Sequence, residues 1–157
     1  MLGLDYERSV TAIEPALSHN PYCVTALMWG AFVYAMGGES DKAAAFAERA
    51  LRISPFDPLT WHAHLCLGHA RLTQDRDEEA LAHYARALNL NPQYQPLHYM
   101  HALGLALTGR IDEAREAARK GVELAPHVRF GPLMEIVRGP GLKEKLTRGM
   151  RLAGVPE

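Results

Sequence analysis

Residues 67–92 read LGHARLTQDRDEEALAHYARALNLNP, and their pattern decides the fold. Leu67 and Gly68 open the stretch, and Ala80, Tyr84 and Ala87 come later at spacings of four and three, which puts them on one helical face. Between the two apolar runs stands the polar turn around Asp75, and Asp77 and Glu78 open the second run, where a helix N-terminus favours negative charge. Pro92 closes the unit, because proline cannot continue a helix. Two short helices joined by a tight turn leave an apolar face that neither can bury alone, so the unit must stack on copies of itself.

Such copies exist. Closing prolines recur at Pro21, Pro55, Pro92 and Pro126, with separations of 34, 37 and 34 residues. Twelve residues before the last three prolines stand Ala43, Ala80 and Ala114; five before stand Ala50, Ala87 and Gly121; twenty-four before stand Ala31, Gly68 and Ala102. All nine are Ala or Gly, the residues that let two helices of a pair approach closely. The pattern resembles the tetratricopeptide (TPR) repeat, whose period is 34 residues. That resemblance implies an all-α, right-handed superhelical stack of antiparallel helix pairs, about three repeats long. The large positions are less faithful: Tyr34 and Tyr84 hold an expected aromatic, whereas Arg71, Leu105, Ala47 and Ala118 replace one.

First helices are predicted at about 22–36, 58–73 and 94–108, and second helices at about 40–53, 77–90 and 111–124. Gly37-Gly38, Asp75 and Gly109 separate the members of each pair. The expected organisation is a single domain, 1–157. It comprises a lone second helix of an incomplete repeat (1–20), repeats at 22–55, 56–92 and 93–126, and a C-terminal cap (127–157). The second repeat is lengthened at its SPFDPLT loop, and Pro15 is expected to kink or split the first helix. A half-repeat at the start implies either a natural protein that continues upstream or an improvised terminal cap. Leu142, Leu146 and Met150 give the last helix one apolar face.

Bulk composition narrows the function. A balance of 17 basic against 18 acidic residues leaves a formal charge of -1, too little positive charge to hold a phosphate backbone or an anionic bilayer. No apolar run of about 18 residues is present to span a membrane. Cys23 and Cys66 show no paired spacing, which fits reduced thiols and a cytoplasmic setting.

Three segments are more particular: the loop SPFDPLTW, the pair beginning NPQYQPLHYM, and the ending LKEKLTRGMRLAGVPE, with its run Gly149 to Glu157. Together they resemble the C-terminal TPR region of bacterial signalling proteins that carry a class III adenylate/guanylate cyclase domain or a winged-helix DNA-binding domain. The resemblance implies a regulatory or assembly segment serving signalling or transcription regulation.

In a TPR stack the first helices line the concave face. By register, that groove is expected to present Met28, Phe32 and Met36, then His62, Leu65, His69 and Leu72, then Tyr99, Leu103 and Leu107. It is apolar and suits an amphipathic or extended apolar partner, with Met supplying adaptable contacts. The partner is a protein or peptide, or a second copy in a homo-oligomer; alternatively the groove is filled by the chain's own C-terminal helix. Glutamate at Phe32 or Leu103 is expected to weaken binding while sparing helicity.

Histidine is abundant, with eight residues. His62, Cys66 and His69 fall at i, i+4 and i+7, a spacing that offers two imidazoles and a thiolate to a metal. His64, His98 and His101 form a second set. A small-ligand, metal or pH sensor is therefore the alternative function, against ordinary inter-helix packing. No recognised zinc pattern is present, so no metal or other cofactor is expected. Catalysis has no foothold: Ser9, Ser18, Ser40 and Ser54 lack a nucleophile motif, and no Gly-rich loop follows a strand. The carboxylates Glu48, Asp77, Glu78, Glu79, Asp112, Glu113 and Glu116 fall mostly on second helices as a solvated face, and the chain is expected not to be an enzyme.

Overall fold

The alanines and glycines that recur through the chain set its helix packing in the computed structural model, which describes residues 5–127 and 129–156. Met1 to Leu4, Val128 and Glu157, which the expected half-repeat, cap and tail include, lie outside the described residues. The described residues form nine helices and no strand: α1 Tyr6–His19, α2 Val24–Gly37, α3 Ser40–Ile53, α4 Thr60–Thr73, α5 Asp77–Leu90, α6 Gln95–Leu107, α7 Ile111–Leu124, α8 Gly131–Ile136 and α9 Pro140–Ala153. Helices pair most extensively as α2 with α3, α4 with α5 and α6 with α7.

All nine repeating small residues are buried. Gly68 shows why: a β-carbon there would run into the Tyr84 ring on α5. The same exchange of glycine for a ring recurs at Gly30 against Phe46 and at Gly121 against Tyr99. Gly38, Asp75 and Gly109 all adopt the left-handed conformation, with φ of 87, 58 and 84°. Aspartate tolerates that conformation better than most residues with a β-carbon, which lets Asp75 serve where the other two turns use glycine. The α3–α4 connection runs through residues 54–59, longer than 20–23 or 91–94.

Two expectations need correction. Pro15 does not split α1, which is one helix from Tyr6 to His19 with the proline inside it. Pro15 and Thr11 are both exposed, so the carbonyl left without an amide donor faces water, while buried Ile13 holds the helix near Gly30 of α2. The C-terminal helix also does more than close the end of the stack. It buries Leu142, Leu146, Gly149, Met150 and Ala153, lies chiefly on α6, and reaches α4 and α7. The amides of Arg138 and Gly139 both donate to the carbonyl of Met36 at the end of α2, at 2.8 and 3.0 Å. Lys145 Nζ grips Asp77 at 2.8 Å and Asp75 at 3.0 Å, tying α9 to the α4–α5 turn.

Candidate functional site: an aromatic pocket between the first helices

α2 and α4 lie side by side, and a pocket of about 250 Å³ opens between their N-terminal halves. Thr25, Met28, Trp29 and Phe32 line it from α2, and Trp61, His62 and Leu65 from α4. Leu59 and Tyr94, in the connections that precede α4 and α6, complete the wall. The lining holds no charged side chain of Asp, Glu, Lys or Arg. Its rings touch in sequence: Trp29 lies 6.1 Å from Phe32 and 5.4 Å from His62, while Trp61 lies 5.4 Å from His62 and 5.0 Å from Tyr94. His62 sits at the centre of this chain of rings. Burial pushes its pKa down to about 4, so at neutral pH it is an uncharged ring.

The ten residues expected in a continuous groove do not form one. Met28, Phe32, His62 and Leu65 do come together in the pocket. Met36, Leu72 and Leu103 are fully buried instead. Leu103 lies under Gly149 of α9, and the chain entering α9 crosses at Met36. Tyr99 points into its own helix pair, onto Gly121 of α7. His69 is buried with its Nδ1 2.9 Å from the Tyr84 hydroxyl. Leu107, half-buried, stands beside Thr108, the α4–α5 turn at Asp75 and Arg76, and the first residues of α5. Sequence reasoning missed Trp29, Trp61 and Tyr94. Trp29 and Trp61 each lie next in sequence to an expected groove residue and three or four residues from another, a signal for a wider face.

The histidines take other partners than expected. Among the described residues no group of three His, Cys, Asp or Glu side chains is placed to hold a metal ion. Of the His62, Cys66 and His69 set, Cys66 is fully buried with its thiol pKa raised by desolvation, and His69 is held by Tyr84 with its pKa pushed down to about 3. His64 pairs not with His98 but with His83 on α5, their Nδ1 atoms 3.1 Å apart, so one must donate and the other accept. His98 Nε2 donates to the carbonyl of Pro92.

The carboxylates act as charge partners for basic side chains. Arg71, where an aromatic was expected, reaches Glu48 on α3 at 3.0 Å and Glu79 on α5 at 3.7 Å, bridging two second helices. Arg119 pairs with Glu116 and Glu123 on the exposed face of α7. Asp77 departs from the solvated-face expectation, being partly buried against Lys145. No described helix is long and apolar enough to cross a membrane.

Comparison with known proteins agrees with this architecture. Two family models, both described as tetratricopeptide repeat, match residues 4–58 and 62–94, together more than half of the chain. A TPR repeat-containing protein of Treponema pallidum is 32% identical over 117 residues, covering 71% of this chain and 14% of the relative. The general transcriptional corepressor trfA of Dictyostelium discoideum is 28% identical over 115 residues, covering 72% of this chain and 8% of the relative. The chain thus spans only a small part of these relatives. Among solved structures, MamA superposes with a TM-score of 0.67 at 23% identity, covering 95% of this chain and 86% of that one. YrrB, described as a TPR protein with an unusual peptide-binding site, gives 0.61 at 20% identity, covering 94% and 78%. At these identities the structures share the fold.

Proposed function

Because this chain belongs to the tetratricopeptide repeat proteins, a family that mediates protein–protein interaction, we propose that it is a non-enzymatic docking module whose binding site is the aromatic pocket between α2 and α4. The observation that carries this reading is the pocket's lining: four aromatic rings and an uncharged imidazole, open to solvent, with Trp29 left 56% exposed. Exposed aromatic surface of this kind is stabilised by covering it, and aromatic side chains dominate docking energetics. α9 packs on α6 and α4 and covers Leu103, so the module offers a compact site and not a long groove. We place it, on the resemblance of its loop and tail, as the regulatory or assembly segment of a larger bacterial signalling protein in the cytoplasm. There it would act on an attached effector only by binding two effector states unequally.

Selection of peptides from a displayed random library against the chain tests the proposal. Selected peptides are expected to perturb amide resonances of residues 25–32 and 59–65 and to lose binding to Trp29→Ala. Binders that map instead to the outer faces of α3, α5 and α7 would overturn it.

A further inference from the structure

A second anomaly lies next to the pocket. Phe56 is 95% exposed, the most exposed large apolar side chain among the described residues. It stands on the 54–59 connection, three residues before the pocket wall at Leu59. That connection is braced at several points. Pro55 and Pro58 restrict its backbone, the Asp57 amide donates to the Ser54 carbonyl, and the Asp57 carboxylate accepts the Leu59 amide at 2.8 Å. The Thr60 amide closes the turn on the Asp57 carbonyl at 3.0 Å. The chain therefore presents the phenyl ring to solvent from a backbone restrained by two prolines and these hydrogen bonds, which lowers the main-chain entropy lost on docking.

We propose that the pocket between α2 and α4 receives Phe56 of a second copy of this chain, and that Phe56 of the first copy enters the partner's pocket in return. This names the occupant of the site and rests on the reading of the pocket as a docking site. Phenyl ring and pocket are complementary: the cavity of about 250 Å³ has room for one such ring, its lining is uncharged, and its Trp29, Phe32 and Trp61 rings offer faces and edges to a sixth. Knob and hole are adjacent on one edge of the molecule, the arrangement a two-fold interface needs, where the same patch serves both subunits. A net charge of -1 sets up little repulsion between copies.

Sedimentation velocity of the chain over a wide concentration range tests this, with Phe56→Ser and Trp29→Ala variants compared and their melting curves recorded. At concentrations where the parent is monomeric, Phe56→Ser is expected to melt as the parent does, because Phe56 is exposed, and Trp29→Ala, which gives up its contacts with Phe32 and His62, to melt slightly lower while staying folded. The parent is expected to form a dimer that saturates, and each variant to weaken it at least tenfold. An equimolar mixture of the two variants should recover part of the association, since each mixed pair retains one intact knob in one intact pocket. A parent that stays monomeric, or a Phe56→Ser variant that dimerises like the parent, would overturn the proposal. If Trp29→Ala alone weakens association, the pocket remains a docking site and Phe56 is not its occupant. If the chain stays monomeric yet binds selected peptides in the pocket, the occupant is a foreign segment.

Discussion

Gly149 of α9 lies directly on Leu103 of α6: a β-carbon added at Gly149 would stand 2.9 Å from that of Leu103 and 3.2 Å from its carbonyl oxygen. Both residues are buried, and the contact is where the C-terminal helix meets the first helix of the third pair. Gly149→Leu is expected to destabilise the fold by about 1–3 kcal/mol through overpacking. Thermal melting measures it, and an unchanged midpoint would show that α9 docks differently.

The same contact separates two substitutions that the sequence alone treats alike. Phe32 is half-buried on the pocket wall, whereas Leu103 is fully buried beneath α9. Phe32→Glu should leave the helical circular dichroism intact while abolishing pocket binding. Leu103→Glu places a carboxylate in a fully buried, apolar contact beneath α9 and should unfold the third pair, with a loss of several kcal/mol. Equal melting curves for the two variants would contradict this.

Ala80 is fully buried on α5, at one of the nine small positions. Ala80→Leu should cost about 1–3 kcal/mol, read from urea denaturation as a lower midpoint. A midpoint equal to the parent's would show that the α4–α5 pair can separate without penalty.

Acid should destabilise the chain well before its carboxylates titrate. Burial holds His62 and His64 at about 4 and His69 at about 3, against 6.5 for an unperturbed imidazole, and His83 and His101 are lowered too. The unfolded chain therefore binds these protons first, so stability is complete above about 6.5 and is lost as pH falls toward 4 and below. The melting midpoint should drop between pH 7.5 and 4.5, and less steeply in His69→Gln, where one buried imidazole is gone. A flat profile over that range would contradict these burials.

Much of the stack was legible because its cause is local. Ala31, Gly68, Ala102 and their counterparts are small wherever helices cross closely, and the three left-handed turns at Gly38, Asp75 and Gly109 each stand seventeen residues ahead of a closing proline. The second-helix limits came from acidic starts and proline stops. What could not be read was direction at a distance. The apolar face of Leu142, Leu146 and Met150 shows that α9 must pack, yet nothing in its own residues says that it folds back onto α6, and that choice removes Leu103 and Met36 from the open face. Tyr99 was misplaced because its partner is a gap: Gly121 stands where the other second helices carry Ala50 and Ala87, and the tyrosine ring fills the space. His64 was read along the first helices, while its partner His83 lies across the pair.

Trp29 and Trp61 are the only two tryptophans in the chain, and both line the pocket. Their two indole N–H resonances therefore report on the site and on nothing else. Titration of the 15N-labelled chain with a selected peptide binder tests the central claim most directly. Both indole signals should shift and saturate with the same Kd as the binding itself. A peptide that binds tightly while leaving both indole signals in place would contradict the claim that this pocket is the docking site.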